Sequence, residues 1–436
     1  MISALKKLVF NTVLLSLSAA ACVPAGAAAA VSPQNLLTEA LDTNKDADTR
    51  CAAVDALKTS ADEAIAMDLA GLMNDADPQV RACSIRAAGE AKNKRAVEAL
   101  LANIESYQLS TRNGSNGPYE DNIKERLKAI DSIWALGEIG DPALLARLKS
   151  FYKESDDVLR INLLISVGKL GKNAKAGPFL LEIAASGGET ESARAAAFEM
   201  LAFIGQPASI ANLAPSKNPG IERGDIIYTG GVVGSISGWG NQDLPVGHAA
   251  LYDGVEIKNG RMNIVVSECV TNNRVPGGVR NAYSWYAFTH NFRYPYYGNR
   301  TTPVKPTAAQ RARLVQLGLE MGKKGLKYND THFSQKGPLE FDCVGYVEYL
   351  YEQVGLNPTD DKYETGLGWP LTPWEQFISV RPDPAADYVA VKPGRGDTEE
   401  MSQAILTRYF GALPGASLSE DSVREPGAAI RPEEVK

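Results

Sequence analysis

The chain has only three histidines, His248, His290 and His332, and only five cysteines among 436 residues. Five cysteines are too few for a disulfide-built fold, and no pair has metal-finger spacing. Positive charge is not in excess either: 45 Lys and Arg stand against 52 Asp and Glu, a formal net charge of −7. No Lys/Arg cluster breaks that balance. Phosphate binding needs basic patches and counterion release, so nucleic acid is excluded as a partner. Long apolar runs are missing as well. The stretch Leu8–Leu17 is too short to span a bilayer as a helix, and no other segment is long and apolar enough.

That short apolar stretch has a different meaning. Lys6 and Lys7 precede it, and small residues follow from Ser18 to Ala30, with Ala-x-Ala sites ending at Ala27 and Ala30. Residues 1–30 therefore read as a secretory signal, and the protein is expected to be exported, periplasmic or secreted. The rival reading is a lipoprotein signal, with Cys22 acylated as a lipid anchor; Ala21 suits it, but Ala19 stands where Leu is usual. Lys6 and Lys7 are the only charges in this segment, so the rest of the chain is more acidic still. Export permits a Cys51–Cys83 disulfide. Two small buried thiols are the commoner arrangement.

The length suggests two or three domains, and the first of them is repetitive. Arg126, Arg160 and Arg194 recur every 34 residues, and Gly137, Gly171 and Gly205 close each stretch. Apolar residues between them fall at helical spacing, and each glycine is a natural stop past a helix end. Short second helices are expected at Ala143–Phe151 and Pro178–Ala185. Earlier copies begin at Asp48 and at Asp77-Pro78-Gln-Val-Arg81, and a Ser/Asn/Gly-rich insertion between Ser106 and Asp121 reads as a loop. Asp77, Pro78, Val80 and Arg81 resemble the opening of short HEAT-like repeats. The resemblance covers residues 33–214 and implies a curved stack of helix pairs, a spacer or lid or a surface for a protein partner.

Ala214–Glu222 reads as a linker, and after it the texture changes. Asp225–Tyr228, His248–Tyr252 and Met262–Ser267 read as strands. Thr307–Lys324 reads as a helix with a Thr307/Gln310 capping box, and Asp342–Val354 as another, capped by Asp342. Beyond residue 382 the composition is rich in Pro, Gly, Ala and acid, which implies a mostly mobile tail over 382–436 with a short helix near Glu399–Phe410.

His248 opens a strand directly after Gly247, and Glu268 closes the next, so adjacent strands would set a carboxylate beside an imidazole. Cys343 falls in the first turn of a helix. There the free N–H groups lower a thiol pKa and can hold an oxyanion. Nucleophile, base and orienter are the elements of cysteine-based hydrolysis. A zinc site of Cys, His and Glu lacks a fourth ligand, so no metal and no cofactor is expected. His290 and His332 have no partner pattern and are read as non-catalytic. The glycines from Gly230 to Gly240 lead into no helix, so they form a loop over the site rather than a phosphate cradle. The aromatics from Tyr283 to Tyr297 either line a groove or pack a core.

Three motifs carry a second resemblance. Gly-Asp-Ile-Ile at 224–227, Gly-His-Ala-Ala-Leu-Tyr at 247–252 and Phe-Asp-Cys-Val-Gly-Tyr-Val at 341–347 are similar to the signatures of NlpC-type papain-like hydrolases. Here the Gly-His strand precedes the Asp-Cys motif, as in the circularly permuted branch. The resemblance covers residues 222–381. It implies Cys343 as nucleophile, His248 as general base, Glu268 as third residue and Tyr328 as an oxyanion or substrate contact. The expectation is a multidomain chain, an all-α helical-repeat solenoid followed by an α+β permuted papain-like domain. Its activity would be cleavage of an amide bond in cell-wall peptide. A lipid or small acyl substrate is the second reading, and a non-catalytic scaffold with an inactive papain-like module is the third.

Overall fold

A computed structural model of the chain describes residues 32–60, 62–112, 119–171, 174–218, 220–230, 246–271, 277–300, 305–329, 335–337, 339–359, 371–373, 376–377, 380–383 and 387–390. The signal segment, Cys22, His332 and the helix expected near Glu399–Phe410 lie outside these residues, as does most of the tail.

The first half is helical: α1 (Pro33–Leu41), α2 (Ala47–Leu57), α3 (Glu63–Gly71), α4 (Pro78–Glu90), α5 (Val97–Arg112), α6 (Tyr119–Ile139), α7 (Leu145–Glu154), α8 (Asp157–Lys169), α9 (Gly177–Ala185) and α10 (Glu191–Phe203). Asp46, Asp62, Asp77, Asp156 and Thr190 each cap a helix by accepting N–H bonds of its first turn. The recurring arginines do a second job. Arg50 Nε donates to the Ala40 carbonyl at 2.9 Å, Arg160 Nε to Tyr152 at 3.2 Å and Arg194 Nε to Ala184 at 3.0 Å. Each guanidinium thus ties off carbonyls that the end of the preceding helix leaves open, where a positive charge also suits the helix dipole. Arg50 and Arg126 also reach the next repeat, through Asp75 and Asp156.

Two expectations need correction. α6 runs past Gly137 to Ile139, and Gly140, at φ +68°, takes the left-handed stop instead. Gly137 serves packing: a Cβ there would lie 2.9 Å from Cα of Ser166, so α6 and α8 meet where the side chain is absent. The insertion after Ser106 is not simply a loop, because α5 continues to Arg112 and α6 starts at Tyr119.

Cys51 and Cys83, left open by sequence, form a disulfide between α2 and α4, with Cα atoms 5.8 Å apart. Closing a loop of this length stabilises a fold by about 3–4 kcal/mol in the chain-entropy account. The bond sits in a small core of its own, built from residues such as Leu37, Val54, Leu57, Ile65, Leu69 and Val80.

The second half is built on a five-stranded antiparallel sheet in the order β4-β3-β2-β1-β5: β1 (Ile226–Thr229), β2 (His248–Lys258), β3 (Arg261–Val270), β4 (Gly278–Ala282) and β5 (Tyr296–Arg300). A short helix α11 (Trp285–Phe288) precedes β5. α12 (Ala308–Met321) follows, with the expected capping box of Thr307 and Gln310. α13 (Cys343–Glu352) is capped by Asp342, and both α12 and α13 pack on β2 and β3. A parallel pair, β6 (Lys327–Tyr328) and β7 (Glu340–Phe341), leads into α13, and a hairpin, β8 (Val380–Asp383) with β9 (Asp387–Ala390), comes last. β4 and β5 were not anticipated. The chain therefore joins an all-α repeat half to an α+β half. Among the described residues no helix is long and apolar enough to cross a membrane.

The two halves share one hydrophobic core, which runs from Met73 to Phe377. α8 and α10 explain why: their buried residues occur all round the helix, as expected of elements covered on every side. α10 lies against β3 and α8 against β5.

Candidate functional site

One end of the sheet gathers the polar side chains singled out by sequence. Ala250 of β2 pairs with Glu268 of β3, so His248 lies diagonally across from Glu268 on the same face. The long carboxylate bridges that diagonal: His248 Nε2 and Glu268 Oε2 are 2.8 Å apart. Across the other edge of β3, Arg280 of β4 stands directly opposite Glu268 and donates from Nε and Nη2 to Oε1 at 2.9 and 2.7 Å. Glu268 is fully buried. Burial alone would raise its pKa, but His248 and Arg280 outweigh it and hold the carboxyl below the usual carboxylate range. A charged Glu268 bonded to Nε2 fixes one ring nitrogen of His248 and leaves Nδ1 as the other. Arg280 has no local sequence signal; only the β3–β4 register reveals it.

Cys343 opens α13. Asp342 accepts the Gly345 N–H at 2.7 Å, and its other oxygen is bonded to Gln335 Nε2. Gln335 also donates to the Leu371 carbonyl at 2.8 Å and accepts the Leu371 N–H at 2.7 Å, which ties the start of α13 to the segment after it. Gln335 too was missed by sequence. The backbone N–H groups of Ala249, Val344 and Cys343 itself act on the Cys343 sulfur and favour its thiolate. Ala249 follows His248 directly, so the thiol lies beside the start of β2.

One electrostatic expectation is reversed. Burial, with a contribution from Asp342, pushes the Cys343 thiol up, and the three N–H groups only partly offset it. Burial therefore favours the neutral thiol over the thiolate. Tyr328 is paired with Phe341, two residues before Cys343, and is buried. Cys269, next to Glu268, is buried with its sulfur on the Phe341 carbonyl at 3.2 Å, and burial raises its thiol strongly.

A third ring joins the group. His290, dismissed by sequence for want of a partner, has its ring centroid 5.3 Å from that of His248, and Phe288 lies 6.0 Å away on the same imidazole. Of the aromatic stretch, Trp285, Phe288, Phe292, Tyr294, Tyr296 and Tyr297 are buried, while Tyr283 and Tyr286 are exposed. Most of these rings pack the core. The Gly230–Gly240 loop lies outside the described residues from 231 onward.

The Gly-Asp motif is architectural. Asp225 accepts from Arg311 Nη1 and Asn299 Nδ2, each at 2.7 Å, and so pins α12 and β5 to the start of β1.

These features define a helical-repeat protein with an α+β unit carrying a buried His–Glu–Arg chain and a neighbouring cysteine. The family model of HEAT repeats matches residues 35–112, and the N-terminal repeats are HEAT-like. No curated protein matches the chain.

Proposed function

We propose that this protein is an exported cysteine hydrolase that cleaves an amide bond, with cell-wall peptide as its substrate. The observation that carries the reading is the meeting of three groups at the start of β2. Glu268 is bonded to His248 Nε2, and the backbone N–H of the next residue, Ala249, acts on the Cys343 thiol. The resemblance of the three motifs to permuted NlpC-type papain-like enzymes supports the same roles. The Cys51–Cys83 disulfide supports export, because such bonds persist in oxidising compartments.

The chemistry follows from the neutral thiol. His248 Nδ1 takes the proton of Cys343 as Sγ attacks the carbonyl carbon, rather than drawing on a preformed thiolate. The N–H groups of Cys343 and Val344, at the start of α13, stabilise the oxyanion, and Tyr328 is the further candidate contact. The imidazolium, held by Glu268, returns its proton to the leaving amine, and a thioester forms. Water, deprotonated by His248, then cleaves the thioester, releases the acid and restores the thiol.

Digestion of purified peptidoglycan by the mature protein, with products read by mass spectrometry, tests this. New peptide fragments that vanish with Cys343→Ala establish a wall amidase. If no fragments appear while Cys343 still reacts quickly with thiol reagents, the substrate is a lipid or small acyl compound. If none appear and Cys343 is slow, the hydrolase reading fails. The HEAT match favours one further role, a protein partner bound along the repeats.

A further inference from the structure

The backbone between α11 and β5 is the most unusual in the described chain. His290, Asn291 and Phe292 are three consecutive non-glycine residues in the left-handed region, at φ 56°, 66° and 58°. L-residues visit this region singly and at a cost, so a run of three persists only where surroundings over-determine it. The repeats supply those surroundings. Trp134 Nε1 of α6 donates to the Phe292 carbonyl at 3.4 Å, and Lys169 Nζ of α8 donates to the same oxygen at 2.6 Å. Glu199 of α10 accepts the N–H groups of Trp285 and Tyr286, both at 2.8 Å. Trp285 Nε1 donates to the Ser192 carbonyl at 3.2 Å, and Phe203 meets Phe292 edge-on. Three repeat helices thus hold one strained turn, and that turn delivers the rings of His290 and Phe288 to His248.

We propose that the repeats are a structural part of the site, and that His290, seated by the left-handed turn, is a positioning residue that walls the His248 imidazole into line between Glu268 and Cys343. This rests on the hydrolase reading and deepens it. Groups in contact with the His248 ring are Glu268 with Arg280 behind it, His290 with Tyr294 against it, and Phe288, while Cys343, with Asp342 before it, lies by the adjacent Ala249. Displacing His290 therefore changes how His248 shares its proton with Cys343, and the effect reads out as a pH profile.

The experiment is alkylation of the full mature chain by iodoacetamide from pH 5 to 10, with Cys343 and Cys269 followed separately by peptide mass spectrometry. His290→Ala should slow Cys343 at neutral pH by about tenfold, less than the roughly hundredfold or more of a general base itself, and shift the profile. His290→Phe, which keeps a ring against His248, should restore most of the rate. Lys169→Met, remote from the sulfur, should give a smaller loss with the same direction of shift. A wild-type rate and unshifted profile for both His290→Ala and Lys169→Met would overturn the proposal while leaving the hydrolase reading intact. If His290→Ala proves unfolded by circular dichroism, Lys169→Met and His290→Gln decide by the same criteria. Should wild-type Cys343 react no faster than Cys269, the hydrolase reading itself falls, and the positioning role with it.

Discussion

Asn162 pairs with Tyr296 as a strand would: its amide donates to the Tyr296 carbonyl at 2.6 Å and its side-chain oxygen accepts the Tyr296 N–H at 2.9 Å. β5 is an edge strand, and an unpaired edge is a liability. A single side chain from α8 pairs this edge at Tyr296 and joins repeat to sheet. Asn162→Ala strands two backbone groups in a buried setting, so stability should fall by about 2–4 kcal/mol. Urea denaturation should show one earlier transition for both halves. An unchanged midpoint would mean water replaces the amide.

The disulfide should behave as a local brace. It lies in a separate small core, remote from Cys343. Cys51→Ser with Cys83→Ser should destabilise the first repeats by about 3–4 kcal/mol. Amide exchange in α1–α4 should rise while the iodoacetamide rate of Cys343 stays the same. A slowed Cys343 would show that the first repeats support the site.

Asp253 gives stability a pH dependence. It lies at a bulge in β2, accepts from Ser267 Oγ at 2.6 Å, and burial pushes its carboxyl up to about 8. A folded pKa above the unfolded one means the native state binds the proton more tightly. The contribution is full below the ordinary carboxylate value, about 4, and is lost as pH rises through about 8. Asp253→Asn should flatten that decline. Melting temperatures of both proteins from pH 4 to 9 check it; parallel curves would rule Asp253 out as the source.

Glu268→Gln keeps the shape but removes the charge that faces His248. It also leaves Arg280 without its anion. On the hydrolase reading, turnover should fall by about a hundredfold or more. Arg280→Met should cost less, because the Glu268–His248 bond survives. Steady-state rates on whichever substrate the peptidoglycan assay identifies give the comparison, and equal losses would make Arg280 as important as Glu268.

Much of this was written in local pattern. A 34-residue period, N-cap aspartates and a Thr307/Gln310 box are signals within a few residues of each other, and the helices they imply are present. His248 and Glu268 could be paired because two neighbouring strands are the simplest connection. What stayed hidden depends on distance along the chain. Arg280 acquires meaning only through the β3–β4 register. The nearness of His290 to His248 was hidden because the helices that hold its turn lie some 90 to 160 residues earlier. Gly137 looked like a stop because nothing local tells a helix end from a helix crossing. The raised thiol of Cys343 follows from burial, which a helix N-terminus alone does not disclose.

The shared core also bears on how the protein is handled. Although the sequence changes character near residue 214, Leu164, Phe198, Ile226 and Val266 belong to one apolar mass. Cutting the chain between the halves would expose apolar surface on both pieces, so the two are best expressed together.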